Sequence, residues 1–163
     1  MSKIKNIAVV DDRKANRVAA AKAIAKVLPS ARVRLYSSAA EFIAALEETN
    51  VSEIDLVLSD MKMEDEKAGY LVAVAAWSWN IPTFIVSGGQ KDHGRDTVVV
   101  GSFLPQKGSF FGEKDDHLVW SKILGAVMKN SWFLTAVSMG KFEARNAKYG
   151  EANAKLSIEY LPH

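Results

Sequence analysis

The sequence contains no cysteine, and this absence excludes disulfide bonds, thiolate catalysis and cysteine-based zinc sites. Charge of one sign is also lacking, because the formal net charge is only +2, whereas a nucleic-acid-binding domain usually carries a dense basic face. There is no glycine-rich loop ending in lysine, so a P-loop nucleotide site is unsupported. The histidines, His93, His117 and His163, lack the spacing of metal ligands and are interpreted as surface residues.

Long apolar segments are missing as well. The longest one, residues 70–77, is far too short to span a bilayer, and the first residues lead into a strand rather than into the apolar stretch of a signal peptide. These features predict a cytoplasmic protein with no membrane contact. The 163 residues, of which 48% are hydrophobic and 25% charged, suit one globular domain with a core of its own and an appendage.

Strand and helix patterns alternate over about the first 130 residues. The sequence predicts strands over residues 5–10, 33–36, 56–59 and 83–86, and helices over residues 14–27, 39–48, 70–77 and 115–130. The polar segment 91–96 allows a short or irregular helix, and residues 98–100 and 103–104 compete for a fifth strand. Repeated strand–helix units predict a parallel sheet with right-handed crossovers.

Several helix features can be read from the same pattern. Helix 14–27 has Val18, Ala21 and Ala25 available for one apolar face. Ser38 and Glu41 have the spacing of a capping box at the start of helix 39–48. The four tryptophans are interpreted as packing residues rather than as part of a cofactor site; they are Trp77, Trp79, Trp120 and Trp132.

Aspartates follow two of the predicted strands directly. Asp11 and Asp12 come after strand 5–10, and Asp60 comes after strand 56–59. Ligands of open α/β sheets bind beyond the carboxyl ends of the strands, where three carboxylates would repel one another unless a cation joined them. Oxygen ligands of this kind favour Mg²⁺, or Mn²⁺, over zinc. The simpler alternative is that Asp11 and Asp12 form a turn that caps a helix and that Asp60 is an Asx cap.

Four segments at the predicted strand ends together resemble the receiver domain of two-component response regulators. They are Val9-Val10-Asp11-Asp12, Leu56-Val57-Leu58-Ser59-Asp60-Met61-Lys62-Met63, Phe84-Ile85-Val86-Ser87-Gly88 and Phe103-Leu104-Pro105-Gln106-Lys107. The resemblance covers residues 4–130 and implies the α/β flavodoxin-like fold, a doubly wound five-stranded parallel sheet of order 2-1-3-4-5 with helices on both faces. It divides the chain into a receiver domain, residues 1–130, and a C-terminal extension, residues 131–163, for packing, dimerisation or contact with a partner.

The resemblance also implies a role for particular residues. Asp60 would accept a phosphoryl group from a histidine kinase or a phosphotransfer protein. The ligands of Mg²⁺ would be three aspartates and one backbone carbonyl, from Asp11, Asp12, Asp60 and Lys62. Ser87 would be the hydroxyl that moves to bond the phosphoryl oxygens, and Lys107 would pair with the acceptor and then with the phosphoryl group.

The sequence departs from the family pattern at several of these places. Gln106 stands where the family has its lysine, and Lys107 comes one position later, so either a bulge brings Lys107 into place or the lysine function is lost. Glu64 stands where a proline is common, in an acidic run interpreted as a solvated loop at the mouth of the site. Gly88 leaves the acceptor more open to water, which predicts fairly fast loss of the phosphoryl group.

Three functions remain open from the sequence. The leading one is a receiver without a DNA-binding output domain, a phosphorylation-dependent switch that acts through contact with a downstream protein and catalyses only its own phosphorylation and dephosphorylation. A degenerate receiver that binds partners without being phosphorylated is the alternative, because of Gln106. An aspartate-nucleophile, Mg²⁺-dependent phosphatase fits less well, since such enzymes generally have an Asp-X-Asp pair rather than the adjacent Asp11 and Asp12.

Overall fold

The computed structural model describes residues 4–48, 53–79, 81–86 and 113–129. In chain order the elements are β1 Asn6–Val10, α1 Lys14–Val27, β2 Arg32–Tyr36, α2 Ala39–Glu48, β3 Leu56–Ser59, α3 Ala68–Ser78, β4 Thr83–Ile85 and α4 His117–Met128. The strands form a parallel sheet of order β2-β1-β3-β4. This confirms the predicted α/β class, while the predicted helix 91–96 and fifth strand lie outside the described residues.

The sheet is covered on both faces, which explains why its strands are apolar almost throughout. Side chains alternate along each strand, so Ile7 and Val9 face one cluster and Ala8 and Val10 face the other. On the first face, α1 and α4 pack together with Trp120 and Ile123. On the second face, α2 and α3 close a separate cluster. The helices therefore fix the sheet from both sides and leave its carboxyl end for the site.

The buried face of α1 differs from the predicted one. Val18 is 55% exposed and Ala25 is also exposed, whereas the buried residues are Asn16, Ala19, Ala20, Ala23 and Ile24. In an alanine-rich helix the faces differ little in hydrophobicity, so Ile24 and its neighbouring alanines decide the orientation. Among the tryptophans, Trp120 is buried as predicted, but Trp79 is 50% exposed, so its interpretation as a packing residue was wrong.

All four backbone N–H groups at the start of α2 have acceptors. Ser38 Oγ accepts from the N–H of Glu41 at 3.0 Å, which confirms half of the predicted capping box, and Ser38 O accepts from Phe42. The Glu41 carboxylate accepts from the N–H and hydroxyl of Ser37 rather than from Ser38. The first two N–H groups of α2, at Ala39 and Ala40, donate to Glu64 at 2.9 and 3.0 Å.

The sequence had indicated that Glu64 belongs to a solvated loop, but its carboxylate also caps α2. Partial burial acts to raise the pKa of Glu64, but the hydrogen bonds from the N–H groups of Ala40 and Ala39 outweigh it and lower that pKa. Since Glu64 lies in the loop after β3, its carboxylate ties that loop to α2.

None of the helices formed by the described residues is long and apolar enough to cross a membrane.

Candidate acceptor and metal site

Backbone hydrogen bonds align the residues that directly follow three of the strands. Each of these residues is still hydrogen-bonded to the neighbouring strand through its N–H group. The pairs are Asp11 N with Tyr36 O at 3.0 Å, Asp60 N with Val10 O at 2.8 Å and Val86 N with Ser59 O at 2.7 Å. Asp11, Asp60 and Val86 therefore lie side by side at the carboxyl end of the sheet, where ligands of such sheets bind.

Three carboxylates converge at this edge, as the sequence predicts. Ligand oxygens of Asp11, Asp12 and Asp60 lie within 4.8 Å of one another. Asp11 is buried, Asp60 is partly exposed and Asp12 is exposed, so the cluster opens to solvent on one side. An all-oxygen donor set that is open on one side is the kind that Mg²⁺ uses while it keeps several waters. The residues present fit such an ion, and the Lys62 carbonyl remains a prediction as a further ligand.

The Asp11 carboxylate is held in place from its own side of the sheet. Its Oδ1 accepts from the Arg13 N–H at 3.0 Å, and the Asn16 amide donates to both oxygens at 3.1 and 3.2 Å. The guanidinium of Arg17 donates to the Asp11 carbonyl at 2.8 Å. These contacts satisfy a buried anion with neighbours from the start of α1, and they fix its orientation towards Asp60.

An ammonium group completes the site, and it comes from Lys114, a residue for which no role was predicted. Lys114 Nζ lies 2.9 Å from Asp11 Oδ2, 3.0 Å from Asp60 Oδ1 and 2.9 Å from the Val86 carbonyl oxygen. Its side chain is only 10% exposed. The position of Lys114 just before α4 was the available signal for this role. The sequence prediction instead chose Lys107, the first lysine after Leu104-Pro105.

Burial dominates the electrostatics of Asp60. Burial raises the pKa of Asp60, the charge of Asp11 adds to this, and the Lys114 ammonium and the Met61 N–H oppose it without cancelling it. Met61 donates to Asp60 Oδ1 at 2.9 Å. The ionised carboxylate is thus short of positive charge even with Lys114 in place, so a cation at this edge would favour the ionised, nucleophilic form.

Two of the predicted site residues lie outside the described residues. Ser87 directly follows Val86, whose carbonyl accepts from Lys114, and its role as a hydroxyl switch stays a prediction. The structure likewise does not describe Gly88, Gln106 or Lys107. The pairing of Lys107 with Asp60 therefore also stays a prediction, beside the ammonium that Lys114 supplies.

The start of α3 packs against the backbone of Asp60. The Gly69 N–H donates to the Met61 carbonyl at 2.9 Å. A Cβ at Gly69 would overlap the carbonyl oxygen of Asp60 and lie 2.8 Å from Met61 Cα. The glycine is therefore required by the close approach of the helix, which supports the loop that follows the acceptor.

No family model matches the sequence, and no curated protein matches it either. The structure nevertheless resembles solved response regulators. A receiver protein from Pseudomonas putida is 20% identical over 80% of this chain and 100% of its own, with a TM-score of 0.51. CheY4 of Vibrio cholerae is 15% identical over 77% of this chain and 99% of its own, with a TM-score of 0.50.

A third structure, that of the bacteriophytochrome response regulator AtBRR, is 13% identical over 78% of this chain and 94% of its own, with a TM-score of 0.52. At such identities the likeness concerns the fold. It agrees with the parallel sheet of order β2-β1-β3-β4 that helices cover on both faces. The chain therefore has the CheY-like fold of response-regulator receiver domains.

Proposed function

We propose that this chain is a phosphoacceptor receiver that takes a phosphoryl group on Asp60 and acts as a signalling switch through contacts with other proteins. The observation that carries the proposal is the convergence of Asp11, Asp12 and Asp60 with the Lys114 ammonium at the end of the sheet. Asp60 is partly exposed there, so a phosphoryl donor can reach it. A histidine kinase or a phosphotransfer protein is the donor class that this chemistry fits.

The roles of the residues follow from their contacts. Asp60 Oδ1 pairs with Lys114 and accepts from Met61, so Oδ2 is presented for attack on phosphorus, with loss of the donor's leaving group. Asp11, Asp12, Asp60 and the Lys62 carbonyl would hold Mg²⁺, which when bound supplies positive charge to the phosphoryl oxygens. Asp11, fixed by Asn16, keeps Lys114 beside the acceptor.

We assign the phosphate-pairing role to Lys114, because its ammonium already bridges Asp11 and Asp60. Phosphoryl transfer depends mainly on positioning and on neutralising oxygen charge, which such a cation supplies. Lys107 remains a second candidate for the same role, and Ser87 the candidate hydroxyl that follows the phosphoryl group. A fifth strand next to β4 would complete the order 2-1-3-4-5 within residues 1–130, with residues 131–163 as the extension.

Intact mass spectrometry after incubation with Mg²⁺ and acetyl phosphate tests the proposal. We expect one phosphoryl adduct on the wild type, none on Asp60→Ala, and an unchanged adduct on Asp65→Ala, which removes an exposed carboxylate of the same loop. Absence of an adduct together with no response to beryllofluoride would favour the degenerate receiver. Multiple turnover of phosphate esters would favour the phosphatase.

A further inference from the structure

The indole of Trp120 bonds to the backbone of the lysine that enters the site. Trp120 Nε1 donates to the Lys114 carbonyl oxygen at 2.6 Å. The Trp120 side chain is only 1% exposed and belongs to the core cluster that joins α1, α4 and the sheet. Lys114 is thus held at two points, its carbonyl by the indole and its ammonium by Asp11 and Asp60.

The backbone around Lys114 depends on the same helix. Asp116, the N-cap of α4, accepts from the Leu118 N–H through its side chain and donates through its own N–H to the Glu113 carbonyl. The Lys114 carbonyl lies before the helix and takes no part in its backbone ladder. Trp120 lies in the first turn of α4. The same helix therefore supplies the N-cap that closes the turn around Lys114 and the indole N–H that holds the Lys114 carbonyl.

We propose that Trp120 is a positioning residue for the acceptor site and acts through Lys114; the proposal rests on the proposed function. A lysine side chain is long and has many rotamers, so a fixed backbone lowers the conformational entropy that is lost when its ammonium is held between two carboxylates. The N–H group of Trp120 fixes it from the core. A shift of α4 against α1 would therefore move the Lys114 ammonium relative to Asp60 while the aspartates keep their positions.

Two variants remove the indole donor. Trp120→Phe keeps an aromatic ring but is smaller, whereas replacement of Trp120 by benzothienylalanine keeps the bicyclic shape and replaces N–H by sulfur. Trp79→Phe is the matched control, because Trp79 is half-exposed just after α3, at the opposite end of that helix from Gly69, which contacts the Asp60 backbone. The benzothienyl variant keeps the test valid if the smaller ring destabilises the core.

The first readout is the ¹H–¹⁵N NMR signal of the Lys114 ammonium in the metal-free protein, assigned with Lys114→Met. In the wild type and in Trp79→Phe, we expect a resolved signal because the ammonium is held by carboxylates and shielded from water. In both Trp120 variants, we expect that signal to broaden or disappear. An unchanged signal in the benzothienyl variant would overturn the proposal.

The second readout is the rate of phosphoryl uptake from acetyl phosphate. We expect loss of the indole hydrogen bond to slow uptake about 5- to 10-fold, and to have no further effect in a Lys114→Met background. An equal loss in both backgrounds would mean that Trp120 acts through general stability, and this would contradict the proposal. If the wild type takes up no phosphoryl group, the proposed function is refuted. The ammonium signal then still tests whether Trp120 positions Lys114.

Discussion

At the scale of single residues, the site depends on contacts between parts of the chain that are far apart. Lys114 and Asp11 are 103 positions apart in sequence yet form a 2.9 Å ion pair. The aspartates could be predicted, because each follows an apolar strand and parallel strands end at one edge. The lysine had one local signal, its position just before α4, but its contact with the aspartates depends on how α4 packs through Trp120.

The two candidate lysines can be separated by substitution. We expect Lys114→Met to slow phosphoryl uptake from acetyl phosphate by about 10- to 100-fold, because a preorganised cation is lost from the acceptor. Lys107→Met, measured in parallel by intact mass, should change the rate little. The reverse order of the two effects would assign the role to Lys107 and contradict the site described above.

Neutralisation of Asp60 should stabilise the metal-free protein. Because burial and the Asp11 charge disfavour the ionised carboxylate, Asp60→Asn in EDTA should raise the free energy of unfolding. Adding Mg²⁺ to about 100 times its dissociation constant should stabilise the wild type by about 2.7 kcal/mol and the variant by much less. Equal Mg²⁺ effects in urea titrations of both proteins would rule out Asp60 as a ligand.

At the scale of elements, the sequence predicted α1, α2 and β3 with their observed bounds. Their ends carry local signals, such as Pro29 after α1 and Ser38 before α2. The prediction placed the start of α3 at residue 70 because Gly69 was read as part of the loop. The helix begins at Ala68 instead, and Gly69 lies inside it where the Asp60 backbone leaves no room for a Cβ.

The tight contact at Gly69 gives a prediction with a matched control. Gly69→Ala should cost about 1–3 kcal/mol of stability and slow phosphoryl uptake, because its Cβ would push on the Asp60 and Met61 backbone. Gly125→Ala, in open space within α4, should instead stabilise by up to about 1 kcal/mol. Thermal unfolding measures both. A neutral Gly69→Ala would show that the α3 contact is looser than described.

The cap of α2 makes a contribution that depends on pH. The hydrogen bond from the Ser37 hydroxyl, followed by that from the Ser37 N–H, lowers the pKa of Glu41 below its usual 4.5. A lowered folded-state pKa means that the stabilisation is complete above the unfolded pKa and is lost as pH falls through the folded value. Glu41→Gln should therefore cost only about 0.2–0.5 kcal/mol at pH 7, because solvent screens this exposed carboxylate, and progressively less below pH 4.5.

The control for this cap is Glu48→Gln at the other end of α2. A negative charge is unfavourable near a helix C-terminus, so this variant should not lose stability at any of the same pH values. Urea titrations from pH 3 to pH 7 compare the two variants with the wild type. A cost of Glu41→Gln that stays constant over this range would show that its ionised form does not carry the cap.

At the scale of the whole molecule, the fold follows from alternation of strand and helix patterns, and the site follows from where the strands end. Both clusters of the core had clear sequence signals, because apolar residues on the strands are continuous and those on α4 recur at helical spacing. The face of α1 had no such signal. Neither did the link from α4 to the acceptor through Trp120, which depends on a side-chain bond to a loop carbonyl.

Chemical mapping of the phosphoryl adduct tests the central claim most directly. The protein is treated with Mg²⁺ and acetyl phosphate, reduced with borohydride to convert an aspartyl phosphate to homoserine, and digested for peptide mass spectrometry. We expect homoserine at residue 60, dependent on Mg²⁺ and absent when Asp60 is replaced by asparagine. Homoserine at another aspartate, or none at residue 60 while an adduct is present, would contradict the account.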